Sequence, residues 1–222
     1  MYSFSQRQDC KVYDEPLYAA YLESNPEIFR PYRDELIQIS STDPNDVLIN
    51  IQSDTCRPSA LKYVKHMAKH LTKEVNRDFI FRENTQHMIL VRDPLEMIRS
   101  WNIKQEIHQE QCSLEATCLP TLLTIFSEVR TRTGSNPIVV DVNLLQKFPD
   151  IILQEICLAL RIDFDPKQLS WPKGPKPDID GYACDENLLN LSLPPKLGCG
   201  PNIGMSRFTN LRGSGWTERN LN

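Results

Sequence analysis

Glycine is scarce in this chain and is missing from its first 133 residues. There are 8 glycines among 222 residues, and the first of them is Gly134. A loop that cradles phosphate groups normally needs glycines, because its backbone N–H groups must converge at close range and at unusual dihedral angles. The first 133 residues therefore contain neither a glycine-rich P-loop nor a dinucleotide-binding fingerprint. Nucleotide chemistry in this part of the chain has to use other groups.

The composition is that of an ordinary globular domain. Hydrophobic residues make up 40% and charged residues 24% of the chain, which excludes a wholly disordered polymer, a collagen and a membrane bundle. The length favours one domain, or one domain with an appendage. The net charge is −4 without a clustered basic footprint, so we expect neither a nucleic-acid partner nor a membrane partner.

The cysteines and the start of the chain favour a reducing compartment. None of the seven cysteines forms a C-x-x-C pair, and an odd, scattered set is a poor disulfide framework. The first residues contain no long apolar segment, and no stretch approaches the ~18 apolar residues of a membrane span. We therefore expect a cytoplasmic protein.

Short apolar runs and strand-like alternation predict the strands. Residues 61–65 alternate in the strand manner, and 11–13 could form a short strand. Residues 87–92 and 137–142 are predicted to be buried parallel strands. The segment 46–52 fits a strand or a helix equally well.

Helical spacing and prolines in a first turn predict the helices. One helix is predicted to begin at Pro16. The others are predicted at 26–39, 93–101, 119–131 and 150–160. Four residues of the last helix are predicted to face inward: Ile151, Ile152, Ile156 and Leu160. Strands that alternate with helices of this length predict an α/β fold with a mostly parallel sheet flanked by helices.

The character of the sequence changes near Gly181. Six of the 8 glycines lie from Gly181 onward, and periodic apolar positions are few there. We interpret residues 1–181 as the α/β domain and residues 182–222 as an irregular or disordered tail.

Arg92 follows a predicted strand and precedes a predicted helix. The carboxyl end of a strand beside a helix N-terminus is where open α/β sheets bind ligands. An arginine there can direct two N–H donors at a phosphate, and Ser100, about two turns along the helix, could add a hydroxyl. The alternative is that Arg92 simply pairs with Asp93 or Glu96.

These features resemble the sulfotransferases that use 3′-phosphoadenosine-5′-phosphosulfate (PAPS). The strand, Arg92-Asp93-Pro94, the helix and Ser100 are similar to the motif with which these enzymes bind the 3′-phosphate. Further segments are similar to one branch, the sulfotransferase-like P-loop proteins found alone or fused to branched-chain aminotransferase-like domains. The similar segments are Met1–Phe4 with Gln6 and Arg7, Asp14–Tyr18, Pro31–Glu35, Lys65–Met67, Phe164–Pro166, Ser170–Pro172 and Gly174–Pro175.

The resemblance implies a P-loop-type three-layer sandwich and transfer of a sulfuryl group from PAPS to a hydroxyl or amine. The acceptor would be a small molecule or a glycan. Arg92 and Ser100 would contact the 3′-phosphate, His66 or Glu15 would be the base, and Lys65 would supply a cation for the bridging oxygen. For Glu15 the alternative is an acidic residue at a helix start, and for His66 it is a solvated helix residue. His66 and His70 lack a third ligand, and the resemblance requires no metal.

The sequence also departs from this family. There, a strand and a phosphosulfate-binding loop of the form Pro-Arg-Ser precede the Met-Tyr-Ser-Phe helix, whereas here Met1 stands inside that helix. We therefore expect a fold that is incomplete at its N-terminus, with unpaired edges on neighbouring strands and little sulfuryl transfer. The alternatives are a non-catalytic nucleotide-binding or interaction protein and another P-loop nucleotide-dependent enzyme.

Overall fold

The computed structural model of the chain describes residues 1–30, 32–54, 61–71, 75–81, 84–108 and 113–172. The predicted boundary near Gly181 and the predicted tail at 182–222 lie outside the described residues. The division into these two parts therefore stays a prediction.

Four strands and seven α-helices lie along the described residues. The strands are β1 (Cys10–Asp14), β2 (Leu61–Lys65), β3 (Met88–Val91) and β4 (Ile138–Asp141). The helices are α1 (Tyr18–Ser24), α2 (Arg33–Ile39), α3 (Pro44–Ser53), α4 (Pro94–His108), α5 (Leu119–Thr133), α6 (Val142–Lys147) and α7 (Pro149–Ala159). Short 3₁₀ helices occupy Phe4–Gln6, Ala68–His70, Arg77–Phe81 and Pro166–Leu169.

The strands form two parallel pairs. β1 pairs with β2 so that Asp14 lies opposite Lys65, and β3 pairs with β4 so that Met88 lies opposite Ile138. Parallel strands flanked by helices confirm the α/β class. Among the described residues no hydrogen-bonded ladder joins the two pairs, so the single sheet that the sequence suggested is here two short sheets. The three-layer sandwich stays a prediction.

Both sheets pack against one hydrophobic cluster. Its buried residues come from the first 3₁₀ helix, β1, β4, α6 and α7: Phe4, Val12, Val140, Leu145, Leu153 and Ile156. Tyr63 of β2 and Met88 of β3 pack against the same cluster. The burial of these side chains together supplies the main attraction between the sheets, because apolar area removed from water stabilises a fold in proportion to its size.

A second cluster lies around α1, α3 and α5. Its buried residues are Leu17, Leu48, Ala68, Leu71, Val75, Ile80, Ile125 and Val129. It packs the 3₁₀ helix at Ala68–His70, which directly follows the end of β2, against α1 and α5. The segment after β2 is thereby fixed beside the segment after β1.

Two helix predictions are corrected by the backbone. The helix expected at 26–39 begins only at Arg33, because Tyr32 has a left-handed φ of 59°. The proline at position 31 also disfavours a helical residue before it. The ambiguous segment 46–52 is a helix, α3, and the Asp43 side chain caps it by accepting the Asn45 N–H at 2.7 Å.

The strands β3 and β4 are less buried than their apolar runs predict. Ile89 and Val140 are buried, but their neighbours Leu90 and Val139 are exposed. A parallel strand reads as continuously apolar when helices cover both faces of its sheet. The register pairs Ile89 with Val139 and Leu90 with Val140, so each face of this sheet carries one buried and one exposed side chain and is covered only in part.

One residue predicted to face inward on α7 points outward. Ile151 is 55% exposed, whereas Ile156 is 3% exposed and lies in the cluster shared by the sheets. The 3.6-residue repeat failed here because α7 carries apolar residues on more than one face, so spacing alone could not decide which face is buried.

We expect Ile151→Val to change the free energy of unfolding by less than about 0.5 kcal/mol, because surface changes rarely exceed this. The same change at Ile156 removes a buried methyl group and should lower the free energy by about 0.5–1.5 kcal/mol. Urea unfolding of the two variants measures both values. Equal losses at both positions would show that the outer face of α7 is also buried.

No helix among the described residues is long and apolar enough to cross a membrane.

Candidate active site

The carboxyl ends of β1 and β2 bring four polar residues together. The strands are parallel and in register, so both end at the same edge of their sheet. Asp14 and Glu15 come at the end of β1, and Lys65 and His66 come at the end of β2. The Glu15 N–H donates to the Lys65 carbonyl oxygen at 2.9 Å, which extends the ladder by one bond.

Lys65 binds both carboxylates. Its Nζ donates to Asp14 Oδ1 at 3.0 Å and to Glu15 Oε1 at 2.7 Å. The Asp14 and Glu15 side chains are only 6% and 3% exposed, whereas the Lys65 side chain is 27% exposed. Burial lowers the pKa of Lys65, but Glu15 and Asp14 outweigh burial and raise that pKa above its ordinary value. Lys65 is therefore protonated at neutral pH and is engaged by two buried carboxyl groups.

Glu15 has a backbone conformation that few residues with a side chain adopt. Its φ is 50°, in the left-handed region, and it precedes Pro16. Such a conformation costs of order 1–3 kcal/mol and persists where surrounding contacts hold it. The conformation places the Glu15 carboxylate on Lys65, and α1 has no side-chain cap. The alternative that Glu15 serves as an acidic residue at a helix start therefore does not describe its carboxylate, which binds Lys65 instead.

His66 lies half-buried in an extended segment between β2 and the following 3₁₀ helix. Burial lowers the pKa of His66 to about 4, so the imidazole is neutral at physiological pH. A neutral imidazole has one ring nitrogen that can accept a proton. The alternative that His66 is a solvated helix residue is therefore wrong, because His66 is half-buried and does not lie in a helix.

His70 is not a neighbour of His66 on a helical face. It is buried, with its ring 5.3 Å from the Tyr18 ring and 4.7 Å from the Tyr21 ring, measured between centroids. Among the described residues, no group of three or more His, Cys, Asp or Glu side chains is arranged to hold a metal ion.

Arg92 directly follows β3 and precedes α4. Asp93 caps that helix, because its Oδ1 accepts the Leu95 N–H at 2.7 Å. Arg92 Nε lies 3.4 Å from Glu96 Oε2, so the pairing alternative is the contact that the structure contains. Glu96 is exposed enough for this long pair to be weak. Among the described residues, the Arg92 guanidinium makes no other hydrogen bond or ion pair.

Ser100 lies half-buried on α4, about two turns after Arg92. No hydrogen bond joins Ser100 to Arg92 in the described part of the chain. The structure therefore pairs Lys65 with Glu15 and places His66 next to Lys65 at the end of β2. It places Arg92 at the end of the other sheet and Ser100 about two turns along α4, without a hydrogen bond between them.

Asp14 is a site residue that the sequence reasoning missed. The sequence analysis includes it only within the family-like segment Asp14–Tyr18 and assigns it no role, yet it is the second carboxylate on Lys65. The signal was its place at a strand end. This position predicts a contact with Lys65 only when it is known that β1 pairs with β2 in the register that sets Asp14 opposite Lys65.

The fold and this edge of polar groups define an α/β protein with a candidate site at its strand ends. The family of sulfotransferase domains matches residues 1–186, and the chain belongs to this family. The resemblance drawn from the motifs is thereby confirmed at the level of the family. That a P-loop segment is missing stays a prediction.

Two curated relatives come from Arabidopsis thaliana. The chain is 34% identical to branched-chain-amino-acid aminotransferase-like protein 2 over 185 residues. The aligned region covers 82% of this chain and 31% of that protein. Over 183 residues it is 32% identical to branched-chain-amino-acid aminotransferase-like protein 1, with the same two coverages, 82% and 31%. The chain thus spans about a third of the length of these relatives. No solved structure matches it.

Proposed function

We propose that this sulfotransferase domain transfers a sulfuryl group from PAPS to a hydroxyl or amine of a small-molecule or glycan acceptor. In this reaction the bond between sulfur and the bridging phosphate oxygen breaks, and a bond between sulfur and the acceptor forms. The acceptor loses a proton, and the desulfonated nucleotide, 3′-phosphoadenosine-5′-phosphate (PAP), leaves. The observation that carries the proposal is the ion pair of Lys65 with Glu15 at the carboxyl ends of β1 and β2, directly before His66, in a chain of this family.

His66 is the base in this proposal. Its imidazole is neutral at physiological pH and half-exposed, so it can accept the acceptor proton. Glu15 is the second candidate for that role, and its contact with Lys65 favours a part in holding the lysine. Lys65 would face the charge that develops on the bridging oxygen.

Arg92 and Ser100 hold the 3′-phosphate of the donor in this proposal. Arg92 stands at the end of β3 beside the N-terminus of α4, where an anion is favoured by the helix dipole. Its weak pair with Glu96 leaves an arginine fork that suits a phosphate.

We expect Arg92→Ala to weaken binding of PAP roughly tenfold to a hundredfold, because a hydrogen bond to a charged group contributes about 1.5–3 kcal/mol. Isothermal titration calorimetry of the purified chain with PAP measures this change. Arg130→Ala is the matched control, since Arg130 is exposed on α5 and the charge change is the same. Equal affinity of the Arg92 variant and the parent protein would remove Arg92 from the site.

Two measurements test the function as a whole. The first is calorimetry with PAP, with ATP as a comparison, and the second is a transfer assay with labelled PAPS. Selective binding of PAP and transfer of the label support the proposal. Selective binding of ATP would favour another P-loop nucleotide-dependent enzyme. Binding of neither nucleotide by a folded chain would overturn both.

A non-catalytic nucleotide-binding protein is the second candidate function. The observation that favours it is that the Lys65 ammonium is already engaged by two carboxylates, so a cation for the bridging oxygen would have to be shared with them. Binding of PAP without any transfer would decide for this candidate.

A cytoplasmic location is a further part of the proposal, supported by the seven scattered cysteines.

A further inference from the structure

Glu96 lies against Arg92 in the first turn of α4. Its Oε2 accepts from Arg92 Nε at 3.4 Å, and neither side chain has a second hydrogen bond or ion pair among the described residues. The Glu96 side chain is 42% exposed and the Arg92 side chain is 22% exposed. The pair is therefore open to water, and a dissolved anion can approach both of its members.

A second carboxylate lies at the same helix end. Asp93 Oδ1 accepts the Leu95 N–H at 2.7 Å and so occupies one of the backbone donors at the N-terminus of α4. Two acidic side chains thus lie where the proposed function places the 3′-phosphate. Asp93 serves the helix backbone, whereas Glu96 binds the arginine itself. Glu96 is therefore the direct rival of a phosphate for Arg92.

We infer that Glu96 limits the affinity of this domain for the 3′-phosphate, because it competes with the phosphate for the charge of Arg92. The inference rests on the proposed function, which assigns Arg92 to that phosphate. Without a nucleotide, the arginine is paired with Glu96. With a nucleotide bound, the same arginine faces two anions that repel each other. PAPS and PAP both carry the 3′-phosphate, so Glu96 weakens the binding of donor and product alike.

The magnitudes decide against the opposite role, in which Glu96 would hold Arg92 in place for the phosphate. A pair of opposite charges four residues apart on a helix changes an equilibrium constant only about twofold. A carboxylate about 7 Å from a phosphate of charge about −1.5, at an effective dielectric constant of about 50, weakens binding about tenfold. Repulsion outweighs the loss of orientation, so removal of the Glu96 charge should strengthen binding about fivefold.

Isothermal titration calorimetry of the full chain with PAP and with adenosine 5′-phosphate tests the inference. The two nucleotides differ only in the 3′-phosphate. At about 20 mM salt, where surface charges are little screened, we expect Glu96→Gln to lower the Kd of PAP about fivefold and that of adenosine 5′-phosphate less than about twofold. A merely structural effect of the substitution would move both Kd values alike. Glu155→Gln is the matched control, because Glu155 is exposed on α7 and the charge change is the same, and it should leave both values unchanged.

Salt separates the effect of charge from that of packing. At about 300 mM salt the Debye length shortens to about 6 Å, so the gain in PAP affinity should fall to about twofold or less. A gain that is the same at both salt concentrations would contradict the electrostatic competition and overturn the inference. Should the glutamine variant fold poorly, Glu96→Ala removes the same charge and should lower the Kd of PAP in the same way.

An unchanged or higher Kd of PAP in a folded Glu96 variant would overturn the inference. The proposed function would still stand if the parent protein binds PAP more tightly than adenosine 5′-phosphate and Arg92→Ala abolishes that preference. A parent protein that binds both nucleotides equally would overturn the 3′-phosphate site of the proposed function and the inference with it.

Discussion

Replacement of Lys65 by methionine is expected to lower the free energy of unfolding by about 3–5 kcal/mol. Methionine fills much the same volume, so the loss is electrostatic. The variant leaves the carboxylates of Asp14 and Glu15 buried beside each other without the ammonium that each of them binds. Removing one partner of a buried ion pair is far more damaging than removing the whole pair, because the remaining charge stays desolvated.

Urea unfolding at neutral pH measures this loss, and two further variants interpret it. Lys62→Met makes the same change three residues earlier on β2, where the lysine is exposed and donates to the Ile51 and Gln52 carbonyl oxygens. It should lose about 1 kcal/mol or less, because water can replace both partners of an exposed ammonium. The triple variant Lys65→Met, Asp14→Asn, Glu15→Gln should regain most of the stability, because it removes the uncompensated charges. A triple variant no more stable than Lys65→Met would contradict the electrostatic account.

The local elements of this fold could be predicted from the sequence because their signals are short-range. The alternating segment at 61–65 is β2 with the same bounds, and Pro120 lies in the first turn of a helix that begins at Leu119, as predicted. The predictions failed where one residue overrode the pattern. Tyr32, in a left-handed conformation, delays α2 to Arg33, and no apolar spacing announces such a residue.

Burial was harder to predict than the elements themselves. The spacing in α7 placed Ile151 inside, although the structure exposes it. A helix that is apolar on several faces has no single period to read, so the buried face is set by which neighbours the chain supplies. The apolar runs around Leu90 and Val139 likewise predicted strands covered on both faces, whereas both side chains are exposed. Which strand residues are covered also depends on the neighbours that the chain supplies.

The candidate site could be predicted in its members and not in its contacts. Lys65, Glu15 and His66 were chosen from motif resemblance, and the structure gathers them at one edge. That Lys65 is held by two carboxylates depends on which strands pair and in what register, which is long-range information. Asp14 was missed for this reason.

The pH dependence of stability is the second large effect, and it follows from His66. The pKa of a histidine is about 6.5 in an unfolded chain, whereas burial lowers that of His66 to about 4. Between these values the unfolded chain binds more protons than the folded one. Stability from this group is therefore complete above about pH 7 and is lost as the pH falls toward 4. The loss should amount to about 2–3 kcal/mol.

Urea unfolding at several values between pH 8 and pH 4.5 should show this loss in the parent protein and a flatter curve in His66→Gln. The Met1 α-amino group, with its pKa lowered to about 5, weakens the fold in the same direction as pH falls. It is present in both proteins, so the difference between their curves isolates His66. His66→Asn, with a shorter side chain, separates titration from packing, because a packing loss shifts the whole curve whereas titration changes its slope. Curves that run parallel over this range would show that the imidazole is not kept neutral by the fold, and His66 would then lose its claim to be a base that is ready at physiological pH.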